Sequence, residues 1–203
     1  MTIINIPLHS PDPGIKPSSD KHNQDVIHLN HIDTPLGEMI AGAVEQGICL
    51  LEFADRRMLQ TELKELTRRL KATLMQEDHS CFVSLKQQLN EYFEGKRKEF
   101  TVPLVTPGTE FQQKVWKELQ TIPYGTTRSY HQQAVALGKP EAIRAVAHAN
   151  GMNRISILIP CHRIIGSDGN LTGYSGGLWR KKWLLELEES HLSYPAYSKA
   201  TLF

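Results

Sequence analysis

The stretch Asn153-Arg-Ile-Ser-Ile-Leu-Ile-Pro-Cys161-His-Arg163 joins an apolar run to a reactive residue type. Pro160 has no backbone N–H and restricts Ile159, so regular structure should stop there. Cys161 then sits at the lip of a buried segment, with an imidazole next in the chain. A cysteine is a useful nucleophile only as thiolate, which near neutral pH needs a base or a nearby positive charge. His162 stands where it can act as that base, directly or through a water, and a third group should orient the imidazole. Adjacent Cys and His leave two readings open: an inert buried thiol and an activated nucleophile.

Upstream, Thr109 with Gln112 three residues later reads as a capping box. The helix it opens carries Phe111, Val115, Trp116 and Leu119 on one side, and residues 122–125 (Ile-Pro-Tyr-Gly) end it. Two short helices are expected next, at about 129–137 and 140–150, broken at Gly138-Lys139 with Pro140 as a first helical residue. The pair has the proportions of a helix-turn-helix. Its second member is Ala-rich with one central cation, Arg144, a pattern that fits close approach to DNA and equally fits a buried helix.

The first half of the chain reads as a separate α/β unit. Val26–Ile32, Met39–Val44 and residues 48–53 alternate like strands, separated by Thr34-Pro-Leu-Gly37 and Glu45-Gln-Gly47, and predict a three-stranded antiparallel meander. Leu59, Leu63, Leu66 and Leu70 mark one amphipathic helix; Phe82, Leu85, Leu89 and Phe93 mark a second that ends at Gly95. The expected organisation is a flexible arm over 1–24, an α/β domain over 25–100, a linker over 101–108, a C-terminal domain over 109–190 and a tail over 191–203.

Composition narrows the class. The 203 residues suffice for one large or two small domains, and no apolar run approaches the ~18 residues of a membrane span. Three widely spaced cysteines, Cys49, Cys81 and Cys161, argue against a disulfide framework and for a reducing compartment, so a cytoplasmic location is expected. Net charge is +1, with 12 Lys+Arg against 15 Asp+Glu in residues 1–100 and 11 against 7 beyond, a slight basic bias in the second half. His9, His22, His28 and His31 have no compact ligand spacing, and neither metal nor cofactor is expected.

Taken together, Pro-Cys161-His-Arg-Ile-Ile, the Gly173-Tyr-Ser-Gly-Gly177 loop and the helix with Lys181, Trp-Leu-Leu and Glu188 closely resemble the O6-alkylguanine-DNA alkyltransferase family. The upstream Phe-Gln-x-x-Val-Trp, Pro-Tyr-Gly-Thr, Ser-Tyr and Arg-Ala-Val elements match as well. The match is strong over about 105–190 and architectural over 26–104. It implies an α+β protein with a ribonuclease H-like N-terminal domain and a mainly helical, winged-helix-like C-terminal domain. It further implies a single-turnover repair reaction that moves an alkyl group from O6-alkylguanine to Cys161, with O4-alkylthymine as a further candidate substrate.

By the same resemblance, Glu188 stands behind His162, and His162 reaches Cys161 through a water. Asn153 supports the active-site turn, and Tyr130 donates near guanine N3. Ser175 serves O6; Tyr174, Gly176, Lys181 and Ile164 complete the substrate side. Arg144 fills the gap left by a base flipped through the minor groove, with Ala142, Ala145, Ala149, Ser129 and Asn150 on the DNA side. The expected partner is alkylated double-stranded DNA and the expected state a monomer. Two rivals remain, a binding module that recognises alkylated DNA without repairing it and a Cys–His hydrolase; an intact Pro-Cys-His-Arg context opposes the first, and Arg144 with its helix pair opposes the second.

Overall fold

A computed structural model describes residues 25–192. The arm at 1–24, with His9 and His22, and the tail from 193 onward lie outside the described residues. Strands β1 (Val26–Ile32), β2 (Met39–Val44) and β3 (Gly47–Phe53) pair antiparallel, as their alternation predicts. The Thr34–Gly37 turn closes with a 3.0 Å Gly37 N–H to Thr34 carbonyl bond, and Gly37 takes φ +106°, open to a residue without Cβ.

The sheet is not a three-stranded meander. After α1 (Leu59–Leu70) the chain turns at Lys71 (φ 51°) and runs as β4 (Thr73–Gln76) parallel to β1. The order is β3-β2-β1-β4, so the sheet is mixed where an antiparallel one is expected from the pattern. β4 escapes sequence reading because it is a four-residue edge strand with mostly exposed side chains and no buried alternation. Helix α2 (Ser80–Phe93) packs Phe82, Leu85, Leu89 and Tyr92 on one face of the sheet, and α1 packs Leu59, Leu63 and Leu66 on the other.

In the second half, α3 (Glu110–Leu119) begins at the Thr109–Gln112 capping box. Ser129 and Gln132 form a second capping box at α4 (Tyr130–Ala136). A 3₁₀ turn over Pro140–Ala142 then leads into α5 (Ile143–Gly151), so the second helix of the pair starts three residues later than its sequence pattern implies. Two residues, Arg128–Ser129 (β5), pair in parallel with Ile164–Ile165 (β6), and α6 (Leu178–Ser190) closes the chain.

The two halves share one sheet edge. Val105 N–H donates to the Ile48 carbonyl and Ile48 N–H to Pro103, each at 2.8 Å. Leu51 N–H donates to Arg154 and Ser156 N–H to Leu51, again at 2.8 Å. The edge of β3 is thereby covered by the linker and by the segment that leads into Cys161, which satisfies backbone groups that would otherwise be open. The active-site segment is thus fastened to the N-terminal sheet.

Candidate active site

From its docking point on β3 the chain passes through Ile157, whose φ of 72° is unusual for a β-branched residue, and reaches Pro160 and a short 3₁₀ turn over Cys161–Arg163. Asn153 holds this excursion together. Its Nδ2 donates to the Ile159 carbonyl at 2.9 Å and to Cys161 Sγ at 3.3 Å, while its Oδ1 accepts from Ile155 N–H at 3.0 Å. Cys161 is 7 % exposed and forms part of a cleft of about 420 Å³, with Tyr130, Ala147, Gly151, Tyr174 and Ser175 among the walls. That volume suits a small planar ligand. A larger cavity of about 650 Å³, lined by Lys98, Tyr124, Pro160 and Arg163 among others, does not include the thiol, and its Arg163 is already committed to Glu188; of the two, the smaller cleft is the one the thiol lines.

Behind the thiol lies a fully buried charge cluster. Glu188 accepts from His162 Nε2 at 2.8 Å, from Arg163 Nε and Nη2 at 2.9 Å each, from Tyr92 Oη at 2.7 Å and from Gly125 N–H at 2.9 Å. Burial pushes the Glu188 carboxyl up, but the hydrogen bonds and charges of His162 and Arg163 more than reverse this and hold it well below the usual carboxylate range. An ionised carboxylate can only accept, so the proton on the His162–Glu188 contact sits on Nε2. Nδ1 is left with its lone pair and has no protein hydrogen-bond partner. Burial pulls the His162 pKa down against the pull of Glu188, which keeps the resting imidazole neutral and able to take a proton. Burial also pushes the Cys161 thiol up to about 11, more than the Asn153 hydrogen bond brings it down. The resting group is therefore a thiol.

The loop after β6 forms another part of the cleft. Tyr174 and Ser175 line it, and Tyr130 Oη sits 3.4 Å from the carbonyls of Thr172 and Gly173. Lys181 is fully buried under the loop: its ammonium donates to Thr172 at 2.5 Å, to Gly173 at 3.4 Å and to the Ile164 carbonyl, and burial pulls its pKa down to about 8. Its contacts fix the loop rather than line the cleft. Gly176 is buried against Phe53, where an added Cβ would come within 2.6 Å of the ring.

Several expected contacts are corrected by burial. Ile164 is 0 % exposed and offers its carbonyl to Lys181, so it supports the wall without lining the cleft. Ala149 faces the core, and its carbonyl accepts from Trp116 Nε1 at 2.8 Å. Asn150 borders the cleft, but its amide donates to Gln133 Oε1 at 2.7 Å in a buried pair. Ser129 uses its hydroxyl to cap α4. Helical periodicity turns positions 146, 149 and 150 inward while Arg144 and Ala145 stay exposed and Ala142 half-exposed.

Other residues of the site come from the N-terminal half. Arg56, Arg57 and Met58, between β3 and α1, complete the cleft wall. Arg180 forks onto Asp55 with two 2.9 Å bonds, donates to the Leu36 and Gly176 carbonyls at 2.9 Å each, and lies 4.0 Å over the Phe53 ring. Tyr92 completes the Glu188 cluster from α2. A Cys–His hydrolase would also need a thiol and a base, but not a helix pair whose second helix carries an exposed arginine, Arg144.

A buried thiol and a histidine–carboxylate pair, with the thiol in a cleft bordered by the α4–α5 helix pair, fit a DNA-acting protein that does its chemistry through cysteine. Residues 27–106 match the family model for the 6-O-methylguanine DNA methyltransferase ribonuclease-like domain, and residues 110–190 match that for its DNA binding domain. A methylated-DNA–protein-cysteine methyltransferase of Mycobacterium tuberculosis is 48 % identical over 166 residues, which cover 81 % of this chain and 94 % of that protein. The crystal structure of M. tuberculosis O6-methylguanine methyltransferase superposes with a TM-score of 0.71 at 44 % identity, covering 84 % of this chain and 96 % of that one. A second M. tuberculosis structure, of OGT in complex with DNA, gives a TM-score of 0.70 at 44 % identity, covering 81 % and 94 %.

The chain belongs to the O6-methylguanine-DNA methyltransferase family. Its activity is that of a methylated-DNA–protein-cysteine methyltransferase, and its role is DNA repair. Among the described residues no helix is long and apolar enough to cross a membrane.

Proposed function

We propose that Cys161 is the alkyl acceptor, and that it takes the group irreversibly from O6 of a guanine turned out of duplex DNA into the 420 Å³ cleft. The observation that carries this reading is the position of the thiol: among the described residues it is the one thiol that lines that cleft, held by Asn153 and followed in the chain by the His162–Glu188 pair.

In this reading a water bridges Cys161 Sγ and the free Nδ1 of His162. As sulfur attacks the alkyl carbon, the thiol proton passes through that water to Nδ1, the new S–C bond forms and the C–O6 bond breaks. The imidazolium that results is stabilised by Glu188. The electron pair leaving with O6 spreads into the purine, which takes a proton at N3 from Tyr130 Oη while Ser175 donates to O6; the proton held on His162 then returns through solvent to the phenolate, so the base leaves as neutral guanine and the proton count closes. A thioether has no ready route back to thiol, so each molecule acts once.

DNA approaches from the minor groove along α5, with Arg144 entering the space of the extruded base and the short side chains of Ala142 and Ala145 allowing close contact. The protein works as a cytoplasmic monomer on alkylated double-stranded DNA. The test is intact-protein and peptide mass spectrometry after incubation with a duplex carrying one O6-methylguanine. One methyl per chain on Cys161, with guanine restored, supports the reading, and Cys161→Ser should bind the duplex and transfer nothing. Repeated turnover with an unmodified Cys161 would overturn it.

A further inference from the structure

Arg56 belongs to the N-terminal half, yet its guanidinium reaches the two backbone points that connect the DNA helix to the thiol. Nη2 donates to the carbonyl of Gly151, the last residue of α5, at 3.1 Å. Nη1 donates to the carbonyl of Asn153, the residue that holds Cys161 Sγ, at 3.3 Å. The guanidinium is itself gripped by two carboxylates: Nη1 pairs with Glu52 on β3, and Nη2 lies 2.5 Å from Glu62 Oε1 on α1. Glu52 is fully buried and also accepts from Ser156 Oγ, two residues beyond the β3 docking bond at Arg154. The Arg56 side chain is only 6 % exposed.

The arrangement is expensive as a means of stability alone. Replacing a buried ion pair by apolar residues of similar volume is often neutral or stabilising, so a triad of two carboxylates around one arginine calls for another explanation. Here the explanation lies in where the donors point. A planar guanidinium can serve two carboxylates and two carbonyls at once because its five donors have fixed directions. An ammonium has three donors and cannot cover the same span.

We propose that Arg56 is a positioning residue for the transfer reaction: it fixes the α5 terminus and Asn153 to the N-terminal sheet, and so sets the placement of the Cys161 thiol relative to a base delivered along α5. The inference rests on Cys161 being the acceptor. It gives the N-terminal domain a part in the chemistry without contact to the reacting atoms. It also explains why Arg56 lines the same cleft as Cys161. The charge of Arg56 favours the thiolate as well, a secondary contribution beside the geometric one.

The experiment is single-turnover transfer from an O6-methylguanine duplex by Arg56→Lys and Arg56→Gln, read as three separate quantities. These are the duplex Kd, the limiting first-order transfer constant, and the final number of methyl groups per chain by mass spectrometry. Misplacement of a reacting group by about 1 Å lowers rate by up to roughly a hundredfold. Arg56→Gln should therefore lose about tenfold to a hundredfold in the transfer constant, with Kd within about threefold of the parent and one methyl per chain at completion. Arg56→Lys, which keeps the charge among the carboxylates, should fall between the parent and Arg56→Gln.

A role confined to stability would lower the final methyl count through misfolded protein and leave the rate constant of the active fraction unchanged; that result overturns the proposal, as do parental rates in both variants. Should Arg56→Gln not fold, the rate constant of Arg56→Lys decides alone, and a parental value overturns it. A parent protein that carries no methyl on Cys161 would refute the acceptor assignment itself, a failure visible before any variant is compared.

Discussion

Tyr92 Oη donates a 2.7 Å hydrogen bond to Glu188 Oε1 across 96 positions of sequence, and the same oxygen receives His162 Nε2 at 2.8 Å. A residue of the N-terminal helix α2 therefore helps to set the carboxylate that orients the His162 imidazole of the C-terminal half. The bond is buried and charge-assisted, the stronger class of hydrogen bond.

Tyr92→Phe removes that donor and little volume. A hydrogen bond to a charged group contributes about 1.5–3 kcal/mol, so the urea unfolding free energy should fall by that amount. Glu188→Gln strikes harder, because it leaves Arg163 buried beside a neutral partner; about 3–5 kcal/mol is expected, with transfer slowed roughly a hundredfold or more as His162 loses its stabilising charge. A Tyr92→Phe change below about 0.5 kcal/mol would mean the bond contributes nothing net.

Glu188, His162 and Cys161 together favour the folded state most between about pH 6.5 and pH 8.5, while Glu62, raised to about 7, and Lys181, lowered to about 8, pull in the opposite sense. Glu188 has a folded pKa depressed by its partners, so its contribution is present above the unfolded value of about 4.3 and is lost as pH falls below it. His162 is also depressed in the fold, through burial, and its contribution fades as pH falls below about 6.5, where the unfolded imidazole takes up a proton. Cys161 is shifted upward to about 11, so its contribution is present below about 8.5 and is lost as pH rises toward the folded value. Urea midpoints of the parent and of Cys161→Ser, measured from pH 4 to pH 10, should differ in their pH dependence only above about pH 8.5, where the parent alone declines through this thiol. An identical pH dependence of the two proteins above about pH 8.5 would contradict it.

Arg144 is exposed on α5. Arg144→Ala should slow repair in duplex DNA about tenfold or more, while reaction with a free O6-alkylguanine base stays within about twofold, because only the duplex requires the vacated stack to be filled. Equal losses on both substrates would remove the extrusion role.

Gly176 lies against the Phe53 ring, and that ring is held by Arg180 on its face. Gly176→Ala would bring a methyl carbon within 2.6 Å of ring atoms, so the loop bearing Tyr174 and Ser175 must shift. Overpacking of this kind carries about 1–3 kcal/mol of destabilisation, and transfer should fall about tenfold with it. Parental kinetics in this variant would show that the loop position is not critical.

Much of this protein is legible along the chain. β1 and β2 stand where alternation predicts, β3 within one residue, and α3 starts at the capping box that Thr109 and Gln112 announce. The pair Cys161-His162 after Pro160 is visible as a possible nucleophile because proline, thiol and imidazole are adjacent. β4 is missed because an exposed edge strand has no periodic signature, and Ala149 and Asn150 are misplaced because an Ala-rich helix does not reveal which face is buried.

Arg56, Tyr92 and Arg180 are missed for a different reason. A charged or hydroxyl-bearing residue on a polar stretch reads as solvated until its partner is known, and the partners that tie these three to the other half of the chain lie 95–97, 96 and 125–144 positions away. Sequence by itself determined most of the local elements and the caps, and it named the candidate reacting groups, since these depend on neighbours a few residues apart. Tertiary structure alone decided which polar groups are buried together, where the proton on His162 resides, and how the N-terminal sheet grips the thiol-bearing turn. Those depend on desolvation and on contacts between distant segments, which exist only once the β3 edge and the 154–156 segment have come together.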